Sequence, residues 1–440
     1  MEFEIKKKQP LKVLFQVWWQ IPHSYSIVSA LQLVHLYKRY ASGPNPELDI
    51  YLEEMPYFQA HWNEKKKLVY TEEYNQILRN LKPRSACVGE FDLIYRQTYP
   101  YNITSEDNLT TVPKCVFYTS EFRDFLNQDY FSVNSDMAKT DAEITRFLKE
   151  TPNMYFTSPS DWSSKGLIRY NVPENRNRII THGVDSSIFY KQTDTLIGDG
   201  KGTSRRQVIR NMYKVSDTDI LMISTGAMTE NKGIVLILQA LHFLVHRFNK
   251  RNFKLLLKGT GDLYQSKQFL EIYFEKLVNA GVLNAQEMES LYQNHIIFTD
   301  KTLSFSGIND LYNASDLMLS PYLAEGFGLT PLEALASGLP VIVPVTGSTK
   351  EYMEDIFANG GSDFIYYIKS EMIKYPNDMC QNSIDMNDFI KTLIENEDRF
   401  KLARASSKYD QMKSFIEKNY SWNRVAELLK DYFTYIVGSK

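Results

Sequence analysis

Residues Ala314–Tyr352 read ASDLMLSPYLAEGFGLTPLEALASGLPVIVPVTGSTKEY, and their pattern decides the fold. Leu317–Ser320 is a short apolar run of the kind buried in a parallel sheet. The turn Glu325-Gly-Phe-Gly-Leu-Thr-Pro-Leu-Glu333 follows at once. Gly326 and Gly328 permit a tight bend and a close approach of backbone to a ligand. Thr330 is the expected N-cap, with Pro331 at the first helical position and Glu333 in the first turn. Leu332, Leu335 and Ala336 fall on the inward face. Gly338 ends the helix, Pro340 stops its continuation, and Pro340–Pro344 begins the next strand. A helix amino end therefore stands beside a glycine turn at the sheet edge, a ready place for an anionic phosphate. The carboxylates Glu325 and Glu333 suit sugar hydroxyls, from which they accept charge-assisted hydrogen bonds. Two glutamates alone would favour a charged helix start at a surface turn; the whole glycine, proline and apolar context is what favours the ligand.

Outward from this stretch, apolar runs alternate with helical patterns, which is the α/β arrangement. Strands are expected at Lys12–Trp19, Leu48–Leu52, Phe91–Tyr95, Cys115–Thr119, Met154–Thr157 and Ile179–Thr181. A second series follows at Ile220–Ser224, Lys254–Lys258, His295–Phe298, Leu317–Ser320 and Pro340–Pro344. Helices are expected at Ser26–Tyr40 and Gly233–Phe248. Residues 191–210 are polar and glycine-containing and read as a linker. The expected organisation is an N-terminal Rossmann-like domain over 1–190, a second over 211–420, and a final helix within 421–440 returning to the first. Open parallel sheets bind ligands at the carboxyl ends of their strands, so a cleft between two such edges would suit a two-substrate reaction. Residues 371–390 read as a loop-rich insertion.

The 440 residues, 43% apolar and 23% charged, support two buried cores. The net charge of −3 excludes a broadly basic nucleic-acid-binding surface. Three scattered cysteines, Cys87, Cys115 and Cys380, fit a reducing compartment rather than a disulfide framework. No signal-peptide core and no apolar run long enough to span a membrane is found, so a cytoplasmic protein is expected. The lysine runs Lys6–Lys8 and Lys65–Lys67 could touch an anionic membrane, though short runs of this kind are usually solvated; peripheral contact is not favoured. Asp217-Thr-Asp219 precedes a strand and reads as a turn, and the seven histidines are scattered, so no catalytic metal is expected.

The Glu325–Glu333 pair and its context resemble the donor-sugar site of family 4 glycosyltransferases, whose E-x7-E spacing they match. The resemblance implies the GT-B architecture: two Rossmann-like domains with parallel sheets facing across a cleft. It implies that Glu325 contacts the transferred sugar and Glu333 the nucleotide ribose. Gly326 and the backbone of Phe327, Gly328, Leu329 and Thr330 would lie along sugar and phosphate. Ser224-Thr-Gly-Ala-Met-Thr-Glu-Asn-Lys-Gly233 is similar to the family's loop that grips the donor diphosphate, with Gly226 in the turn and Lys232 as the cation; read alone, Lys232 is a solvated loop lysine. The family's Arg five residues before that Lys is Ala227 here, which leaves Lys258 and Lys301 as substitutes or as plain strand-end lysines. Lys258-Gly-Thr-Gly-Asp262, Ile180-Thr-His-Gly-Val-Asp185 with Phe189, Phe156–Trp162, Asp316 and Tyr420-Ser-Trp422 resemble further family segments. In these, His182 stands for an Asn, Asp185 is expected to fix a loop, and Trp422 to pack.

The N-terminal half matches less. The first loop, Trp18–Tyr25, lacks the family's glycines but sets His23 and Ser24 at a helix start; they are acceptor-side or catalytic candidates, or simply a capping Ser24 and a solvated His23. The family's His after a middle strand is absent, and Thr119, Ser120 or Glu121 could replace it. Tyr95 and Arg96 are acceptor-side candidates, or a surface Arg packing its stem. The implied activity is retaining transfer of a glycosyl group from a nucleotide diphosphate sugar, the donor substrate, to an acceptor hydroxyl. Glu325, Lys232 and His23 are the catalytic candidates, and neither cofactor nor metal is implied. The leaving phosphate would take the acceptor's proton. A non-catalytic sugar-nucleotide-binding protein is the alternative; an epimerase or phosphorylase shares the architecture, and a nicotinamide oxidoreductase lacks its GxGxxG loop.

Overall fold

The computed structural model describes residues 9–105, 108–123, 141–192, 203–375 and 379–439. It divides into two compact units. Lys6–Lys8 and residues 193–202 of the expected linker lie outside the described residues.

The first unit holds a seven-stranded parallel sheet. Its strands are β1 (Leu11–Val17), β2 (Leu48–Glu54), β3 (Lys82–Pro83), β4 (Leu93–Gln97), β5 (Lys114–Phe117), β6 (Met154–Ser158) and β7 (Asn177–Ile179). Their order is β3-β2-β1-β4-β5-β6-β7, so the winding reverses between β1 and β4. Val13, Leu14, Phe15 and Val17 are all buried, as a central parallel strand covered on both faces requires. Helix Ser24–Leu36 follows β1 and runs on into a π turn at Tyr37–Ala41. Helix Trp422–Gly438 belongs to this unit although it comes after the second. It buries Val425, Leu429, Phe433 and Ile436 at helical spacing. The Phe433 ring lies 6.0 Å from Phe15 and 5.4 Å from Tyr95, against the two central strands.

The second unit holds a six-stranded parallel sheet and takes in residues 121–123 besides Gly183–Ser421. Its strands are β8 (Ile220–Thr225), β9 (Phe253–Lys258), β10 (Ile296–Thr299), β11 (Leu317–Leu319), β12 (Val341–Pro344) and β13 (Ile365–Ile368). The order β10-β9-β8-β11-β12-β13 puts its reversal between β8 and β11. A separate antiparallel hairpin pairs β14 (Ser370–Lys374) with β15 (Cys380–Ile384).

Three expectations need correction. Residues 371–390 are not a loop-rich insertion: most of them form the β14–β15 hairpin and the start of helix Met386–Glu395. The hairpin eluded pattern reading because β14 is largely exposed and carries no buried face. The linker does not extend to 210: Ser204 caps helix Arg205–Met212, whose Arg210 is buried against Asp316 at 3.0 Å. Its polar composition concealed an inward-facing charge pair. The unit boundaries fall at His182/Gly183 and Ser421/Trp422, so residues 183–190 pack with the second unit. Tyr190 and Gln192 donate backbone N–H groups to Asn309 and Asn313.

Among the described residues no helix is long and apolar enough to cross a membrane. Cys115 and Cys380 are buried and Cys87 is half-buried.

Candidate functional site

Strands β8 and β11 are neighbours, but the chain leaves them toward opposite sides of the sheet, β8 toward β9 and β11 toward β12. Their loops therefore diverge from one point at the carboxyl edge, where open parallel sheets place ligands. After β8 come Gly226, a short turn at Glu230–Lys232 and helix Ile234–His242. After β11 come Glu325, Gly326, Phe327 and helix Leu329–Ala336.

Asn231 ties the two loops. Its carbonyl accepts from the N–H groups of Leu323 (2.7 Å) and Ala324 (3.2 Å), and its amide donates to the Ala324 carbonyl at 3.1 Å. Gly233 lets the loop turn: its φ is +71°, and a Cβ there would stand 2.1 Å from the Pro321 carbonyl oxygen. No side chain fits that approach.

The helix begins differently from its expected form. Gly328, with φ +89°, is the capping residue, and Thr330 and Pro331 are the second and third helical residues. Proline is tolerated there because first-turn N–H groups have no partner inside the helix. Glu333 consequently lies in the second turn. Gly338, at φ +71°, closes the helix as expected of a left-handed C′ glycine. The buried Phe327 ring stacks on Tyr352 at 4.8 Å, and the Tyr352 hydroxyl donates to the Gly328 carbonyl at 2.7 Å. The side chain of Phe327 thus supports the turn and leaves only backbone for a ligand.

Charge gathers around Lys232. Its Nζ lies 2.7 Å from Glu325 Oε2 and 3.6 Å from Glu121 Oε1. Glu325 Oε1 also accepts from the Gly326 N–H at 3.0 Å, and Glu121 Oε2 accepts from the Asn231 amide at 2.9 Å. Burial alone would lower the Lys232 pKa, but the two carboxylates outweigh it and hold the ammonium charged. Burial raises the Glu121 carboxyl, and the charge of Glu325 adds to the rise while Lys232 opposes it. A second cluster lies beside Gly226. Tyr312 donates to Glu333 Oε2 at 3.1 Å, and the Thr225 hydroxyl stands 3.1 Å from the Tyr312 hydroxyl. Burial pushes the Glu333 carboxyl up to about 8. Lys258 is buried, donates to the Gly259 carbonyl, and is lowered to about 8 by that burial. Lys301 is exposed beyond β10.

The structure therefore brings together Gly226, Lys232, Glu325, Gly326, Phe327, Gly328, Leu329, Thr330 and Glu333 on two loops of one unit. Glu121 joins them, of the three residues considered for the missing histidine. Thr119 and Ser120 belong to the first unit, where both are tied to the Ser163 hydroxyl.

The acceptor-side candidates of the first unit are placed differently from expectation. Arg96 is not a surface residue: it is 2% exposed, with its guanidinium on Gln16 Oε1 (3.1 and 3.2 Å) and Asn108 Oδ1 (3.3 Å). Tyr95 is fully buried, and its hydroxyl donates to Gln32. Both lie on β4, the interior strand beside β1, which explains their burial. Ser120 is buried as well. His23, not Ser24, caps helix Ser24–Leu36: its Nδ1 accepts from the Tyr25 N–H at 3.1 Å. Burial among Trp18, Tyr25 and Trp62 lowers its pKa to about 4, so the ring is neutral with its proton on Nε2. Ser24 is exposed.

Asp316 accepts from Arg206, Arg210 and the Leu221 N–H, and Asp185 accepts from Ser187; both hold backbone in place. His182 packs against Phe117 and Trp422. Sequence reading missed Asn231, Tyr312 and Thr225. Helix Phe305–Ala314 buries Tyr312 together with Asn309 and Asn313, and that mixture of polar groups leaves no clear sign of Tyr312 in the sequence.

Residues 219–365 match the family model of the Glycosyl transferases group 1. An uncharacterized glycosyltransferase of Methanocaldococcus jannaschii is 25% identical over 191 residues, 42% of this chain and 40% of that relative. The chain spans half or less of the length of the curated relatives it matches. Sucrose-phosphate synthase from Thermosynechococcus elongatus superposes with a TM-score of 0.63 at 14% identity, covering 98% of this chain and 100% of that one. Anabaena HepE, solved in complex with UDP and glucose, gives a TM-score of 0.60 at 14% identity over 96% and 99% of the two chains.

The fold is GT-B. The matched family segment runs from the turn before β8 to the start of β13 and so contains both loops of the second unit, including Lys232, Glu325 and Glu333. Residue 121 lies outside it.

Proposed function

We propose that this chain is a glycosyltransferase of the family 4 kind that moves a hexosyl group, with retention, from a nucleotide diphosphate sugar to an acceptor hydroxyl on a glycan, glycolipid or small molecule. The observation that carries the reading is the pairing of Lys232 with Glu325 at the β8/β11 reversal, beside the amino end of helix Leu329–Ala336. The bond from the sugar C1 to the leaving phosphate breaks, a bond from C1 to the acceptor oxygen forms on the same face, and the acceptor proton passes to the leaving phosphate. The transition state is oxocarbenium-like. Negative charge grows on the diphosphate, where Lys232 and the N–H groups of Leu329 and Thr330 meet it. Glu325 faces the transferred sugar, and Glu333 the ribose. The UDP held by Anabaena HepE supports uridine nucleotides as the first probes.

Thermal-shift measurements across nucleotide diphosphate sugars, followed by turnover assays, test the reading. At least one should stabilise the protein and be consumed with an acceptor; stabilisation by none of them sinks it. Glu325→Ala should lower transfer by about 10²–10³-fold with the fold intact. A second reading has its own support. Lys232 already holds two carboxylates, and Ala227 stands where the family has an arginine. Donor binding without turnover would identify a non-catalytic sugar-nucleotide-binding protein.

A further inference from the structure

Tyr312 sits on helix Phe305–Ala314, directly before β11, and reaches across to the end of β8. It is fully buried. A buried phenol normally serves packing alone, yet this one ends in a directed chain of hydrogen bonds. The phenol donates to Glu333 Oε2 at 3.1 Å. The phenol oxygen then accepts from the Thr225 hydroxyl at 3.1 Å. Threonine, tyrosine and glutamate are thereby fixed in one order. Among the described residues, Glu333 Oε1 accepts no hydrogen bond. The anchored carboxylate therefore presents one open oxygen, and it does so at the mouth of β8. There the residue after Thr225 is Gly226, and no atom lies within 4 Å of where a Cβ would stand.

We infer that Tyr312 is a positioning residue for a ribose diol: by holding Glu333 Oε2 it turns Oε1 toward the sugar hydroxyls of a bound nucleotide. The inference rests on the nucleotide-binding reading above and goes beyond it. It assigns ribose recognition to a buried residue that touches no ligand. The phenol is suited to the task because burial raises its pKa well above the ordinary range, so it remains a donor at every working pH. Without it, the carboxylate is free to rotate and its two oxygens become equivalent.

The test compares UDP, CDP, GDP and ADP with their 2′,3′-dideoxy counterparts by calorimetric titration. In the native protein the bound nucleotide should exceed its dideoxy form in affinity by about tenfold. Tyr312→Phe keeps the ring and should abolish most of that preference, while dideoxy binding is unchanged. Glu333→Gln combined with Tyr312→Phe should lose no more than either alone, because the two act as one unit. Thr225→Val removes the group that orients the phenol and should lose part of the preference; it serves equally if the phenylalanine variant unfolds. A Tyr312→Phe protein that keeps its ribose preference, or that weakens both nucleotides equally, overturns the proposal. Binding with no ribose preference in the native protein also overturns it, while leaving the donor-site reading standing. Failure of all four nucleotides to bind overturns both.

Discussion

Lys232 stands between two carboxylates, and with both ionised the trio carries a net negative charge. A diphosphate arriving there meets repulsion unless one carboxyl yields. Glu121 is the one placed to do so, because burial and Glu325 already raise its pKa. Glu121→Gln should tighten nucleoside diphosphate binding severalfold, on the order of the 1 kcal/mol of a partly screened charge contact, read by calorimetry. Its weakening of binding would show that Glu121 helps the ligand instead. Glu333 gives a stability prediction. Its folded pKa of about 8 exceeds the usual carboxylate value, so the folded state holds this proton more tightly than the unfolded chain. That contribution is complete below the unfolded pKa and is lost as pH rises through about 8. Glu333→Gln, always neutral, should melt above the native protein at pH 8.5 and near it at pH 4. Each 1 kcal/mol recovered raises the melting temperature by about 2–4 °C. An equal gain at both pH values would count against a buried ionised Glu333. The sequence revealed both glutamates through their spacing. It could not reveal Tyr312 or Asn231, because their roles depend on which strands the sheet makes neighbours.

At the level of elements, the stretch from Ala314 to Tyr352 was legible because strand, turn, helix and strand each carry their own local chemistry. Its helix start was misjudged because a threonine hydroxyl is the usual cap, whereas here a left-handed glycine makes the turn. Hairpin β14–β15 was illegible for the opposite reason: its pairing is local, β14 is largely exposed and β15 alternates a buried cysteine and a buried asparagine, so no apolar period marks it. Gly233 makes the closest approach in the loops after β8 and β11. Gly233→Ala should cost at least about 2 kcal/mol and lower donor affinity by moving Lys232, measured by denaturant unfolding and titration. An alanine variant of native stability would mean that the loop relaxes freely. Asp316 binds helix Arg205–Met212 to the start of β8 through Arg206, Arg210 and the Leu221 N–H. Asp316→Ala strands the buried Arg210 and should cost about 3–5 kcal/mol.

On the scale of the whole molecule, alternating patterns revealed two α/β units, since period and length survive in sequence even where boundaries do not. The crossing at His182/Gly183 was read a few residues late because Gly183–Gln192 resembles loop, and its ties to Asn309, Asn313, Phe305 and Tyr409 assign it to the second unit. Deleting residues 422–440 should uncover Phe15 and Tyr95 and leave the first unit open to limited proteolysis while Gly183–Ser421 resists. Equal resistance of both units would show that the helix is dispensable.

Helix Trp422–Gly438 also bears on how the protein is made. A ribosome delivers the seven strands of the first sheet long before the helix that covers β1 and β4. The sheet made first must therefore wait, its central face uncovered, while more than two hundred residues of the second unit emerge and fold. The half of the molecule synthesised earliest is the half completed last, and through that interval it is the part of the nascent chain most in need of a chaperone.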